Sequence, residues 1–149
     1  PHKSSYGTNS RMSEVDAAQL LVKLKYLDDW QERRLEIAEY YCERFNDMPN
    51  IRVIMDKMAN KSMHGLQKFV VEIDNRDSVR DSLLADGVEC KIHYPTPLHE
   101  MEPYANFPGP TAMGTASALA RRVLSIPFYP ELTDKQTKEI ADKVIRCVK

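Results

Sequence analysis

The chain has 149 residues, of which 42% are hydrophobic and 29% are charged, a composition typical of a folded globular domain. Its 21 lysines and arginines are balanced by 22 acidic residues, whereas a protein that binds nucleic acid usually carries a basic excess. No stretch offers the ~18 consecutive apolar residues of a membrane span, and no signal-peptide pattern opens the chain. We therefore expect a cytoplasmic protein without nucleic-acid or membrane partners.

The first predicted helix begins after Ser13, a hydroxyl N-cap that is followed three residues later by the acidic Asp16. Apolar residues recur at helical spacing from Ala17 to Phe45, and neither glycine nor proline intervenes before Pro49. The pattern predicts one helix of about thirty residues, about 45–50 Å long. Because a compact domain of this size is narrower than that, we expect the helix to pack against an absent domain or a second subunit.

The rest of the chain alternates between strand and helix patterns. In chain order we predict strands at 51–55 and 67–73, a helix at 78–85, a strand at 88–94, a proline-rich loop at 95–114, a short helix at 117–121, a strand at 122–127 and a helix at Asp134–Val148. Gly87 follows the second predicted helix at the position where a C′ glycine ends a helix. This order predicts an α+β domain with a small, mainly antiparallel sheet and helices packed on one face.

Common catalytic and metal-binding signatures are missing from the sequence. It contains no glycine-rich phosphate loop, no GxSxG and no HExxH motif. Its three cysteines, Cys42, Cys90 and Cys147, lie far apart and form no CxxC pair, which argues against a disulfide framework and a zinc site. We predict no metal site, and the candidate chemistry is confined to two polar clusters.

The first cluster precedes the long helix. Gly7 lets the backbone approach a ligand closely, and the amide of Asn9 and the guanidinium of Arg11 are donors to phosphate or carboxylate oxygens. The adjacent helix N-terminus adds unpaired N–H groups. These residues predict an anion-binding corner, although an ordinary capped loop with a surface arginine has the same spacing.

The second cluster lies at the end of the predicted strand 88–94. It places His93, Tyr94 and His99 around two stiffening prolines, with Tyr104 close behind. Imidazole and phenol groups bind polar ligands or move protons near neutral pH. The alternative is a strand end with partly exposed aromatic side chains and no ligand.

Three segments in this order resemble the DegT/DnrJ/EryC1/StrS family of sugar aminotransferases. They are GTNSRMSEVDAAQLLVKLKYLDDWQERR (7–34), GVECKIHYPTPLH (87–99) and SIPFYPELT (125–133). The resemblance implies the C-terminal small domain of a pyridoxal-phosphate enzyme of the aspartate-aminotransferase architecture, fold type I. It further implies a homodimer with shared active sites that moves an amino group from glutamate to a nucleotide-linked keto sugar.

The same resemblance implies roles for individual residues. Asn9 would reach across the dimer to the phosphate of the partner's cofactor, and Arg11 would hold an anionic part of the donor acid or of the nucleotide sugar. His93 and Tyr94 would line the substrate side of the pocket, and we place His99 of the same cluster among the substrate-binding residues.

In that family the lysine that forms the Schiff base precedes the motif at Gly7, and only six residues precede Gly7 here. We therefore expect residues 1–149 to be the small domain, with 1–48 as the loop and the interface helix, to lack the large cofactor-binding domain and to be inactive alone. The alternatives are a stand-alone, non-catalytic binding or dimerisation module and generic phosphate-ligand binding. The motif and the first helix favour a dTDP-linked 3-keto-6-deoxyhexose, but members that act at C4 share most of the motifs.

Overall fold

A computed structural model describes residues 11–54, 65–104 and 113–149. Its elements in chain order are α1 (Glu14–Leu24), α2 (Leu27–Phe45), β1 (Ile51–Val53), β2 (Phe69–Ile73), α3 (Arg76–Ala85), two 3₁₀ turns (Leu98–Glu100 and Glu102–Tyr104), α4 (Gly114–Arg122), β3 (Val123–Ile126) and α5 (Asp134–Val148). The predicted strands and helices are recovered, the last helix with the predicted bounds and the others with shifted ends, with two exceptions, at the first helix and at 88–94. Within the described residues no helix has the length and hydropathy that crossing a membrane requires.

The first exception is the long helix, which the structure divides into α1 and α2. At the junction the amides of Lys25 and Tyr26 bond to carbonyls three residues back, at 3.3 and 3.0 Å, instead of four. The helical pattern resumes when the Trp30 amide donates to the Tyr26 carbonyl at 3.0 Å. The prediction of one thirty-residue helix is therefore wrong. Because α1 buries no residue against the described part of the chain, no packing there holds it in line with α2.

The second exception is the predicted strand at 88–94. Only Lys91 pairs with the sheet, through two backbone hydrogen bonds with Ser125 of 2.8 and 3.0 Å. The alternating pattern of the segment reflects a half-buried surface, but a ladder also needs a partner strand along its whole length. The described sheet consequently has three strands instead of the four predicted.

The sheet is antiparallel throughout, in the order β1–β2–β3. In β2, Phe69, Val71 and Ile73 are fully buried and point to one face because side chains alternate along a strand. The core on that face contains residues of α2, α3 and α5, among them Ile37, Tyr41, Phe45, Val79, Leu83, Ile140 and Val144. Tyr41 packs edge-on against Phe69 with ring centroids 5.0 Å apart, and its hydroxyl donates to the Pro127 carbonyl at 3.1 Å.

The other face of the sheet carries Val70 and Glu72 of β2 beside Ser125 and Val123 of β3. The carboxylate of Glu72 lies 3.1 Å from the guanidinium of Arg52 and 3.2 Å from that of Arg122. Val70 and Val123 border a cavity whose far wall is α4. We predicted helices on one face only, and α4 lies on the opposite face from α2, α3 and α5.

Buried Arg76 fixes the end of α4. Its Nη1 donates to the carbonyls of Ala120 at 3.2 Å and Val123 at 3.1 Å, the first of which belongs to the last turn of α4. Its Nε lies 2.9 Å from the Asp77 carboxylate, an ion pair that lacks hydrogen-bond geometry. A single side chain thus connects α3 to α4 and to the start of β3.

Candidate functional site

His93 occupies the centre of the candidate site. The Lys91–Ser125 bridge holds its backbone beside β3, and its Nδ1 lies 2.9 Å from the Ser125 hydroxyl. The pKa of His93 is lowered, first by desolvation and then by the positive charges of Lys68 and Lys91. The ring therefore stays neutral to a lower pH than an ordinary histidine, and a neutral imidazole offers one donor and one acceptor.

Two hollows meet at the His93 ring. One is a cleft of about 530 Å³ with both polar and apolar walls. It lies between residues 88–93, the chain that follows β3, and α5, and its polar walls include Lys68, Lys91 and Ser125. The other is an apolar cavity of about 580 Å³ on the second face of the sheet. Because His93 borders both, one imidazole can bond a polar group at the edge of an apolar space.

The apolar cavity lies between a sheet, a helix and a turn. The sheet contributes Val70 and Val123 to it, and Tyr94 borders it with a side chain that is largely exposed. The walls beyond are the proline-rich segment, with Thr96, Pro97, Leu98 and Met101, and α4, with Ala116, Leu119 and Ala120. The rings of His93 and Tyr94 are perpendicular, with centroids 5.5 Å apart. The structure thus brings together the first two residues of the predicted cluster.

His99, the third residue of that cluster, is placed differently. Its Nε2 lies 3.1 Å from the hydroxyl of Ser117 on α4, and that hydroxyl donates to the carboxylate of Glu100. His99 is not among the described residues that line the two hollows. This geometry gives the ring a protein partner, where we predicted a substrate contact.

The predicted anion-binding corner is described only in part. Asn9 and Gly7 lie outside the described residues. Arg11 is exposed and precedes the N-cap Ser13, whose hydroxyl accepts a hydrogen bond from the Asp16 amide at 3.1 Å. Within the described ranges Arg11 does not border the hollows at His93. No metal-binding group of three or more histidine, cysteine or acidic side chains occurs among those residues.

Sequence reasoning missed Ser125 and Lys68, which line the cleft at His93, and Ser117, which contacts the predicted residue His99. Ser125 could have been found, since it alternates with Leu124 and Ile126 in a predicted strand and so points away from the core. Lys68 is the second residue of the predicted strand 67–73, but its proximity to His93 depends on the fold. No sequence pattern indicated Ser117, since its contact with His99 spans 18 positions and depends on how the chain folds.

The sequence comparison identifies the family. The chain belongs to the DegT/DnrJ/EryC1/StrS aminotransferase family, whose sequence model matches residues 2–145. It is 39% identical over 145 residues to the erythromycin biosynthesis sensory transduction protein EryC1 of Saccharopolyspora erythraea, covering 96% of this chain and 38% of that protein. It is 34% identical over 139 residues to the dTDP-3-amino-3,4,6-trideoxy-alpha-D-glucose transaminase of Streptomyces venezuelae, covering 93% of this chain and 36% of that enzyme.

A solved structure shares the fold. The X-ray structure of S. venezuelae DesV in complex with a ketimine intermediate matches with a TM-score of 0.86 and 33% identity, over 99% of this chain and 40% of that one. The predicted α+β fold with a small antiparallel sheet, that of a domain of these aminotransferases, is confirmed. The chain spans about two fifths of the length of the relatives that it matches.

Proposed function

We propose that this chain is the small domain of a pyridoxal-phosphate-dependent aminotransferase that moves an amino group from glutamate to a nucleotide-linked keto sugar. The observation that carries the proposal is the family match over residues 2–145, which covers both polar clusters. A transaminase of dTDP-linked amino sugars among the relatives supports a sugar nucleotide as the substrate class. The pathway would be the biosynthesis of a deoxyamino sugar or of a polysaccharide.

The site beside His93 supports a deoxy sugar nucleotide in particular. A 6-deoxyhexose carries a methyl group and a thymine carries another, and both are favourable in an apolar cavity. The neutral His93 ring and the Tyr94 hydroxyl provide hydrogen bonds for sugar hydroxyls at its edge. We therefore propose a dTDP-linked 3-keto-6-deoxyhexose as the substrate, with His93 and Tyr94 binding it.

The donor set before α1 fits a phosphorylated cofactor. Asn9 offers an amide and Arg11 a guanidinium, and the first-turn amides of α1 have no partner within the helix. We propose that Asn9 binds the cofactor phosphate and that Arg11 binds an anionic group of the donor acid or of the substrate. When bound, pyridoxal phosphate supplies the electron sink that amino transfer needs.

We also propose that the parent protein is a homodimer with shared active sites, located in the cytoplasm. Arg11 does not meet His93 within the described residues, which fits a site completed by other parts of the protein. The apolar side chains of α1, including Leu20, Leu21 and Leu24, are more than half exposed and fit burial against the large domain or the partner subunit.

The test is to assay the full-length protein that carries this chain with glutamate and a panel of keto sugar nucleotides. We expect amino transfer to a dTDP-linked 3-keto sugar, and slower or absent transfer to the UDP-linked and 4-keto analogues. Transfer only to a UDP-linked or 4-keto sugar would contradict the proposed substrate but still support a sugar-nucleotide aminotransferase. A full-length protein that binds no pyridoxal phosphate and transfers nothing would favour a non-catalytic binding or dimerisation module.

A further inference from the structure

His99, Glu100 and Ser117 form a hydrogen-bonded cluster between the Leu98–Glu100 turn and α4. The Ser117 hydroxyl has a single hydrogen, and it donates that hydrogen to the Glu100 carboxylate. Ser117 Oγ must then accept from His99, 3.1 Å away, which places a proton on His99 Nε2. The His99 Nε2 also lies 3.6 Å from the Glu100 carboxylate. This arrangement satisfies both contacts of the Ser117 hydroxyl and commits His99 Nε2 to a partner within the protein.

Each part of the cluster adjoins a wall of the apolar cavity. Leu98, the residue before His99, lines the cavity from the turn. Ala116, the residue before Ser117, lines it from α4. The three polar side chains therefore connect two walls that are far apart in sequence. A hydrogen bond to a carboxylate is stronger than one between neutral groups, and here the carboxylate and the imidazole share one hydroxyl.

We propose that His99, Glu100 and Ser117 act as a clamp that sets the separation of the turn and α4, and so determines which substrates the cavity beside His93 and Tyr94 accepts. His99 is then a positioning residue and does not touch the substrate. The identity of the occupant as a sugar nucleotide rests on the proposed function, whereas the clamp itself rests on the contacts of these three side chains.

The experiment compares Ser117→Ala with Ser117→Thr in the full-length protein. Alanine removes the shared hydroxyl and threonine keeps it. We expect Ser117→Ala to raise KM for the sugar nucleotide about tenfold, the effect of losing about one hydrogen bond to a charged group, with KM for glutamate unchanged. Ser117→Thr should restore most of the wild-type value, and circular dichroism of both variants checks that they fold.

Variants of His99 separate the clamp from direct substrate binding. His99→Leu should match Ser117→Ala, His99→Gln should rescue because it keeps an N–H donor, and the double variant should be no worse than either single variant because the residues act as a unit. If His99→Leu raises KM for the sugar while Ser117→Ala leaves it unchanged, His99 contacts the substrate and the clamp is wrong.

Hydrogen exchange tests the clamp independently of catalysis. The amides of Glu100 and Met101 are hydrogen-bonded to the Pro97 and Leu98 carbonyls at 3.0 and 3.1 Å. Ser117→Ala should speed their exchange about tenfold and leave the amides of β2 unchanged, and Ser117→Thr should not. Unchanged exchange at the turn in Ser117→Ala would overturn the clamp even if the protein proves not to be an aminotransferase, and faster exchange there would support it in that case too.

Discussion

At the residue scale, the charge state of His93 is set by its neighbours. Desolvation is the largest cause of its lowered pKa, and Lys68 and Lys91 add to it. The folded chain therefore binds this proton less readily than the unfolded chain does. The contribution of His93 to stability accordingly falls as the pH drops below the ordinary histidine value near 6.5.

Replacing Lys68 with glutamine should raise the pKa of His93 part of the way to its ordinary value. The substitution removes one nearby positive charge, which makes protonation of the ring easier, and leaves the desolvation unchanged. The measurement is an NMR titration of the His93 ring protons. Lys138→Gln is the matched control, because Lys138 is exposed on α5 and is not among the charges that act on His93. Equal titration curves in the two variants would contradict the assignment.

Arg76 is the residue whose loss we expect to destabilise the second face of the sheet. Arg76→Met keeps the buried aliphatic stem but leaves the carbonyls of Ala120 and Val123 without this donor. We expect a loss of about 1–3 kcal/mol in the free energy of unfolding, measured by denaturant titration. Arg80→Met is the control and should cost much less, because Arg80 makes its ion pairs at the surface. Equal effects would show that the buried hydrogen bonds of Arg76 add nothing.

At the element scale, the sequence predicts best those helices and strands whose caps and apolar patterns lie within the element itself. The bounds of α5 are those predicted, Asp134–Val148, since Thr133 and Gln136 form a capping box and the helix has a clear apolar stripe. The break after α1 was not predictable in this way, because neither glycine nor proline marks residues 25 and 26. Segment 88–94 has the right alternation, but its hydrogen bonds depend on tertiary contacts with β3.

In the candidate site, too, the sequence predicts residues that are adjacent in the chain but not contacts that depend on the fold. His93 and Tyr94 are adjacent in sequence, so the pattern that predicted one predicted the other. The contact of His99 with Ser117 crosses 18 positions and depends on where α4 packs. A prediction of a substrate role for His99 followed from its residue type, whereas its hydrogen-bond partner follows from the fold.

The exposure of α1 predicts that truncating one of its leucines destabilises the chain much less than truncating a leucine of the core. Leu20 is 52% exposed and Leu83 is fully buried. In the 149-residue chain, Leu20→Ala should change the free energy of unfolding by less than about 0.5 kcal/mol, whereas Leu83→Ala should cost about 2–5 kcal/mol. In the full-length protein the cost of Leu20→Ala should grow, because we propose that α1 is covered there. If Leu20→Ala costs little free energy of unfolding in both proteins, α1 is exposed in the full-length protein as well.

At the scale of the whole molecule, the chain spans about two fifths of the length of the relatives that it matches. Its own core contains residues of α2, α3, α5 and the sheet, so the domain has a basis for folding that does not include α1. We therefore regard the fold as a property of these residues and the proposed catalysis as a property of the parent protein.

The corresponding prediction concerns the 149-residue chain supplied with pyridoxal phosphate, glutamate and a keto sugar nucleotide. We expect no amino sugar, because the resemblance places the Schiff-base lysine before the motif at Gly7. Chromatography of the reaction mixture is the measurement, with the full-length protein as the positive control. Product formed by the chain alone would mean that one of its own lysines serves the cofactor.

Because both faces of β2 carry side chains with distinct roles, the strand cannot tolerate the insertion or deletion of a residue. Phe69, Val71 and Ile73 fill the core, whereas Val70 borders the apolar cavity and Glu72 holds two arginines. Inserting or deleting one codon within this strand would exchange the two sets, moving a carboxylate into the core and an aromatic ring out of it. A single substitution in β2 therefore changes one face of the sheet, whereas an insertion or deletion of one residue there disrupts the core and the cavity together.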